Sequence, residues 1–364
     1  MRLAIAHEWL ASRAGSEKTF EAMAGAFPDA DLYALTREED VDFDFGRRPV
    51  TTTFLDRFAF TRHRRELTLP LMPLAWRLID VRAPYDKVIT SSHACVKAFP
   101  PGKAAEHYCY CYAPMRYAWD PDIDTRTARS QAVLRPALSL MRRWDLRSAD
   151  HVDHFAGIST AVAERITAFY GREARVIHPP VDTEWYTPGD KPVRERALAI
   201  SRFIPYKRID LAIEACARAG VPLTVAGWGP REGELRSLAS ALGADVRFEI
   251  KPSDDRLREL YRSSLAVVFP ANEDFGIVPV EAQACGTPVV ALDVGGSRDT
   301  VLHGETGYRV PSPDRDLLAE AVREVAKGEI SEATCRRNAE RFSVARFKRE
   351  LREWLEPGAP GDGG

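Results

Sequence analysis

Phe269-Pro270-Ala271-Asn272-Glu273-Asp274-Phe275-Gly276-Ile277-Val278-Pro279-Val280-Glu281-Ala282-Gln283-Ala284-Cys285-Gly286-Thr287-Pro288 is the stretch on which the fold turns. Residues 265–269 form an apolar run of strand length, closed by Pro270. Pro279 suits the first turn of a helix, Gly286 suits its C-terminal end, and Pro288 forbids continuation. Val289-Val290-Ala291-Leu292 then reads as a second buried strand leading to a Gly295-Gly296 turn. Strand, loop, short helix and strand make the repeating unit of an open α/β sheet, whose ligands gather beyond the carboxyl ends of the strands. The N–H groups of residues 275–278 are expected at the helix N-terminus, which suits an anion. Gly276 gives a backbone that a bulky group can approach closely.

Two carboxylates bracket this anion site: Glu273 in the loop and Glu281, expected in the first turn of the helix. Spacing alone leaves two readings open. In one, the carboxylates accept hydrogen bonds from hydroxyls on either side of a phosphate, which is the layout of a sugar nucleotide. In the other, Glu281 complements the helix dipole, worth roughly 0.3–1 kcal/mol, and Glu273 is a solvated loop acid. The wider pattern bears on the choice. Glu273 and Glu281, with Phe275-Gly276-Ile277 between them and Ala284-Cys285-Gly286-Thr287-Pro288-Val289-Val290 after them, closely resemble the nucleotide-sugar site of family-four retaining glycosyltransferases, which have the GT-B fold. The resemblance implies that Glu273 binds donor-sugar hydroxyls, that Glu281 binds the ribose, and that the backbone of Phe275, Gly276 and Ile277 reaches sugar and phosphate.

Upstream, residues 198–200 read as a strand ending in Ser201-Arg202-Phe203-Ile204-Pro205-Tyr206-Lys207. Two cations five residues apart at a strand end can neutralise a diphosphate from two sides, or form a solvated basic loop. The stretch resembles the family's "GRL-x-x-x-K" element, with Ser201 in place of its Gly. This implies that Arg202 and Lys207 bind the pyrophosphate and stabilise the departing nucleotide. Residues 223–230 resemble the family's "AGxGP" strand and turn. Ile250 stands where the family has Gly near the nucleotide base, which makes Lys251 a donor-binding candidate with altered base contacts.

The first half alternates strands and helices in the same way. Residues 3–6 form a strand, and a small-residue loop precedes a helix expected over 19–27. That loop resembles the family's glycine-rich turn, with Ala14 in place of one Gly, so Gly15 is carried over as a contact to diphosphate or acceptor. Residues 87–90 form a strand that ends at His93, which reads equally as an acceptor-side ligand or base and as a polar residue closing the strand. Residues 107–120 resemble a stretch of the family subgroup that includes bacterial mannosyltransferases of surface-polysaccharide assembly. Arg116 becomes an acceptor-side candidate. Tyr112 stands where that subgroup has His, whose side chain in related enzymes reaches the donor's 6-hydroxyl. A GDP-mannose-like donor is therefore favoured, with a 6-deoxy-hexose or pentose donor as the variant that Tyr112 suggests.

At 364 residues the chain is too long for one ordinary core, so two domains are expected. Pro179-Pro180 marks the linker, giving an acceptor domain at 1–178 and a donor domain at 179–342. An amphipathic helix within 343–357 resembles the GT-B terminal helix that crosses back to the first domain, and 358–364 reads as a disordered tail. The expected fold is thus α/β, GT-B, with two Rossmann-like doubly wound domains facing a cleft. Net charge is −2, with 25 basic and 23 acidic residues through His178, so neither composition nor the first half points to nucleic acid. The six cysteines have no paired spacing, which suggests a reduced, cytoplasmic compartment. The immediate entry into a strand suggests no signal peptide, and no apolar run approaches the ~18–20 residues of a membrane span. Residues 54–82, rich in Arg and large apolar side chains, fit either a peripheral contact with the inner face of a membrane or an insert packed on its domain.

The expected activity is retaining, metal-independent transfer from a nucleotide diphosphate sugar to a hydroxyl acceptor such as a glycan, lipid-linked sugar or natural product. No cofactor is implied beyond that co-substrate, and no DxD-type acidic pair is well placed for a metal. A nucleotide-sugar epimerase of similar fold and a non-catalytic sugar-nucleotide-binding protein are the alternatives. Oligomeric state is not legible.

Overall fold

The computed structural model describes residues 1–38, 40–58, 68–82, 84–102, 105–119, 131–189 and 194–356, with backbone only at 117 and 131–137. The chain divides into two compact units, Met1–Pro180 joined by the chain from Ala345 on, and Val181–Val344.

The first unit is built on seven parallel strands: β1 (Leu3–Leu10), β2 (Asp31–Arg37), β3 (Val50–Thr52), β4 (Lys87–Ser92), β5 (Glu106–Cys111), β6 (His154–Gly157) and β7 (Ala174–Val176). Their order is β3-β2-β1-β4-β5-β6-β7. β1 is buried from Leu3 to Glu8 because helices cover both of its faces, as an all-parallel sheet requires. The chain runs outward from β1 to β3 and then returns to place β4 on the other side of β1. The strand order therefore reverses between β1 and β4, opening a crevice at their carboxyl ends.

The second unit repeats the plan with β8 (Arg196–Arg202), β9 (Leu223–Trp228), β10 (Val246–Ile250), β11 (Ser264–Phe269), β12 (Val289–Leu292) and β13 (Gly307–Val310). The order β10-β9-β8-β11-β12-β13, again parallel, reverses between β8 and β11. One side of this sheet packs Ala199, Phe203, Ile213, Val225, Val268, Val290, Leu318 and Val322 into a single apolar core.

The first helix differs from the sequence expectation at its start, and the terminal helix falls where it was expected. The first helix is Gly15–Ala26, beginning four residues early, because Ala14 serves as its N-cap and the Lys18 N–H already bonds the Ala14 carbonyl at 2.9 Å. Gly15 is thus the first helical residue and not a loop glycine. The terminal helix is Val344–Leu355; its Phe347, Leu351, Trp354 and Leu355 are buried. It packs on the first unit, where Phe347 meets Tyr110 (5.7 Å between rings) and Trp354 meets Tyr108 (5.1 Å). The expected tail at 358–364 lies outside the described residues.

The described part of 54–82 contains the short turn Phe54–Arg57 and the helix Met72–Arg77. Leu55, Met72, Ala75, Trp76 and Ile79 pack with Tyr33, Val88 and Phe99. Phe58, Leu71, Leu74 and Leu78 remain exposed, Leu78 by 65%. The insert reading accounts for the first group of side chains and leaves the second facing outward. Phe60, Arg62, Arg64 and Arg65 lie outside the described residues. Among the described residues, no helix is long and apolar enough to cross a membrane.

A buried ion pair also holds the first unit together. Lys97 Nζ lies 3.0 Å from Asp145 Oδ1, with both side chains fully buried. Asp145 Oδ2 accepts hydrogen bonds from Trp119 Nε1 (2.8 Å) and the Tyr170 hydroxyl (2.6 Å), and Lys97 also donates to the Ala94 carbonyl (3.3 Å). The network ties the turn after β4 to the helices Gln131–Ala149 and Thr160–Tyr170.

Candidate functional site

In the second unit, the loops after β8 and β11 meet at the point where the strand order reverses. Lys207 ends the short turn Pro205–Lys207, and its ammonium pairs directly with Glu273 Oε1. Arg202 is the last residue of β8; its guanidinium is exposed and makes no ion pair among the described residues. The helix Ile277–Ala284 begins beside Glu273, with Gly276 as N-cap at φ 82° and no side-chain cap on its first N–H groups. A side chain at Gly276 would be strained by that φ and would meet the Phe269 ring at 3.2 Å. Phe275 is buried against Phe342, with ring centroids 5.6 Å apart. Ile277 opens the helix and is half-buried.

Glu281 corrects its expectation. It is the fifth residue of this helix, so it lies in the second turn. Dipole complementarity fades beyond the first turn, which removes the bland reading of this carboxylate. Its Oε2 instead accepts a 2.7 Å hydrogen bond from Tyr261.

Sequence reasoning took Gly295-Gly296 only as a turn. They are the floor of the Glu273 loop. The Gly296 N–H donates to the Glu273 carbonyl at 2.9 Å. A Cβ at Gly295 would lie 2.2 Å from that carbonyl oxygen, and one at Gly296 would lie 2.2 Å from Phe275 Cα. Gly296→Ala should displace the loop and reduce turnover by roughly 10²-fold, as misplacement of about an ångström does. Gly233→Ala, where the added methyl meets nothing within 4 Å, is the control. Steady-state kinetics of both variants check this, and a Gly296→Ala enzyme as active as the control would disprove the role.

Trp228 was also missed. It ends β9, is 50% exposed, and carries the Lys251 ammonium 5.5 Å from its ring centroid. Lys251 itself sits at φ 50°, which turns the chain sharply after β10. Ile250, 40% exposed, completes an apolar patch at these two strand ends. An exposed indole beside a glycine turn at a strand's carboxyl end was the available signal.

The first unit gathers a second set at its own reversal. His7 Nδ1 lies 3.0 Å from Ser91 Oγ, Ser91 Oγ lies 2.9 Å from the Tyr112 hydroxyl, and Tyr112 donates to the Ser16 carbonyl at 3.0 Å. The Tyr112 proton is therefore committed to the backbone beside Gly15. Burial pushes the Tyr112 hydroxyl up from its ordinary pKa. His93 is half-buried and packs edge-on against Trp9 (4.5 Å between rings) and Tyr112 (6.0 Å). Burial, with the charges of Arg116 and Lys97, lowers its pKa to about 3. A neutral imidazole of that pKa is a hydrogen-bonding ligand and a poor base near neutrality. Glu8 was not anticipated. Its buried carboxylate accepts from the Ala94 (2.8 Å) and Val96 (2.9 Å) N–H groups, holding the turn that carries His93, and burial raises its pKa to about 7. The signal was an acid inside an otherwise apolar strand.

The structure thus joins Lys207 to Glu273, with Arg202 at the carboxyl end of β8, Lys251 just beyond β10, and Glu281 on the helix that follows Glu273. It groups His93, Tyr112 and the Gly15 helix at the other reversal, with Arg116 near enough to act on His93. Among the described residues, no three His, Cys, Asp or Glu side chains cluster as metal ligands.

Comparison with known proteins agrees with this layout. Residues 189–342 match the family described as Glycosyl transferases group 1. The D-inositol 3-phosphate glycosyltransferase of Geodermatophilus obscurus is 37% identical over 217 residues, covering 50% of this chain and 48% of that protein. The chain spans about half the length of the curated relatives it matches. Sucrose-phosphate synthase from Thermosynechococcus elongatus superposes with a TM-score of 0.74 at 19% identity, over 98% of this chain and 99% of that one. Anabaena Alr3699/HepE, solved in complex with UDP, superposes with a TM-score of 0.71 at 18% identity, over 98% and 100%. The fold is GT-B: two parallel-sheet, Rossmann-like α/β domains.

Proposed function

We propose that this chain is a retaining glycosyltransferase that moves a sugar from a nucleoside diphosphate sugar, held by the second unit, to a hydroxyl acceptor. The observation that carries the reading is the Lys207–Glu273 pair, seated where strand order reverses beside a helix N-terminus that lacks a side-chain cap. The family match over 189–342 supports it. An entering diphosphate takes Lys207 and Arg202, and Glu273 exchanges its ammonium partner for the hydroxyls of the sugar. Glu281 accepts from the ribose. As the anomeric C–O bond breaks, its electron pair stays on the phosphate oxygen, where Arg202 and Lys207 neutralise the growing charge. The acceptor oxygen attacks from the face the phosphate leaves, and its proton passes to that phosphate oxygen. The configuration is therefore kept.

GDP-mannose is the leading donor in this reading. Tyr112, which offers no proton, keeps 6-deoxy-hexose and pentose donors in view, and the HepE complex with UDP adds UDP-sugars. Neutral His93 and Arg116 serve the acceptor. D-inositol 3-phosphate, the substrate named for the relatives, belongs in the acceptor panel. Exposed Leu71, Leu74 and Leu78 are where a lipid-linked acceptor would meet the protein, at the inner face of a membrane.

A thermal-shift and hydrolysis panel of these donors tests the reading. A matching donor at 100 times its Kd should add about 2.7 kcal/mol of stability and slowly release nucleoside diphosphate, unaffected by EDTA. No response to any donor would overturn it. A product of inverted configuration would remove the retaining mechanism. Conversion of the sugar without acceptor would favour an epimerase.

A further inference from the structure

We propose that Tyr261, packed against Tyr186, is the positioning residue that fixes Glu281 as a ribose-reading carboxylate, so that the second unit selects ribonucleoside over 2′-deoxyribonucleoside diphosphates. The inference rests on the nucleotide-sugar reading above and extends it to two side chains and one segment of this chain.

Glu281 is half-exposed, whereas Tyr261 beneath it is fully buried and donates its hydroxyl to Oε2 at 2.7 Å. The buried Tyr186 ring stands edge-on to Tyr261, 5.7 Å between centroids, and walls in that phenol. Burial, reinforced by the Glu281 charge, keeps the Tyr261 phenol protonated, so it is a permanent donor. An ionised carboxylate offers about four acceptor positions. That is enough for this phenol and the two vicinal hydroxyls of a ribose at once. A donor from below sets the plane of the carboxylate, and a vicinal diol is a ligand that reads such a plane.

Tyr186 comes from the first residues of the second unit, and that segment is fastened at several points. Arg336 Nη1 donates to the carbonyls of Thr183 and Tyr186, each at 2.6 Å, and to the Ala284 carbonyl at 3.2 Å. Arg262 donates to the carbonyl and hydroxyl oxygens of Thr187 at 2.7 and 2.9 Å. Thr287 Oγ1 holds the Tyr261 carbonyl at 2.6 Å. Because Ala284 ends the helix that bears Glu281, Arg336 locks the Tyr186 segment to that helix. A pair of tyrosines that merely filled the core would need none of this register.

The test is calorimetric titration of the full chain with GDP, 2′-deoxy-GDP, UDP and 2′-deoxy-UDP, for wild type, Tyr261→Phe and Tyr186→Phe. Wild type should bind its ribonucleotide about tenfold more tightly than the deoxy form, the usual worth of a hydrogen bond to a charged acceptor. Tyr261→Phe should shrink that ratio to about twofold or less while its affinity for the deoxy form changes little, and Tyr186→Phe, which keeps the packed ring, should leave the ratio intact. Equal weakening of both forms by Tyr261→Phe would mark that tyrosine as structural and overturn the inference, as would an undiminished ratio. A wild type that binds ribo and deoxy forms equally would overturn the inference but leave the nucleotide-binding reading standing. A wild type that binds no nucleoside diphosphate would overturn that reading itself. Should Tyr261→Phe fail to fold, Glu281→Gln decides the matter: an undiminished ratio in that variant would overturn the inference.

Discussion

Glu273→Ala should lower turnover by 10²–10³-fold, about 3–4 kcal/mol of transition-state stabilisation, while the variant binds nucleoside diphosphate at least as tightly as wild type. The two halves of this expectation have one source. Glu273 is proposed to hold the sugar as positive charge develops at its anomeric carbon, and removing one such preorganised group has an effect of that size. Without donor, the same carboxylate neutralises Lys207. Deleting it frees the ammonium for the diphosphate, so binding of the product nucleotide should not suffer. Single-turnover kinetics with the donor found in the panel, together with calorimetric Kd values for the nucleotide, separate the two quantities. Wild-type turnover with donor bound would sink the assignment. A parallel fall in turnover and nucleotide affinity would instead mean that Glu273 only positions Lys207.

Asp145→Ala should cost the first unit about 3–5 kcal/mol, because it leaves the Lys97 ammonium fully buried without its counter-charge. It also orphans the Trp119 and Tyr170 donors that end on Oδ2. For a unit of this size the loss corresponds to a fall in melting temperature on the order of 10 °C. Replacing the pair together, Lys97→Met with Asp145→Leu, should recover the part of the loss that comes from the unpaired ammonium, while Trp119 and Tyr170 stay without their acceptor. Differential scanning calorimetry of the two single variants and the double variant completes the cycle. A double variant as unstable as the sum of the singles would show that the network is needed as a polar unit. Binding of nucleoside diphosphate by the second unit should be unchanged, which separates a stability effect from a functional one.

The candidate site and the contacts that stabilise the first unit were not equally visible beforehand. From order along the chain one can read the alternation of strand and helix, the division near the Pro179-Pro180 linker, and Arg202, Lys207, Glu273 and Glu281 as candidates for a sugar-nucleotide site. Each of these depends on local periodicity, on Pro and Gly at helix ends, or on a motif contained in a few residues. Helix phase was less secure. Gly15 became helical and Glu281 moved to the second turn, because the cap is chosen by backbone geometry that neighbouring residue types only bias.

What tertiary structure alone decided is every pairing across long stretches of chain. Lys207 meets Glu273 because β8 and β11, far apart in sequence, are neighbours at the reversal of strand order. Gly295-Gly296 support the Glu273 loop because two backbones pack closer than any side chain permits. Tyr261 finds Glu281, and Lys97 finds Asp145, through packing that leaves no periodic trace in the sequence. Tyr112 shows the difference most plainly: its phenol was legible as a hydrogen-bonding group, but where its proton goes was settled by Ser91 and Ser16, which the folded sheet brings to it.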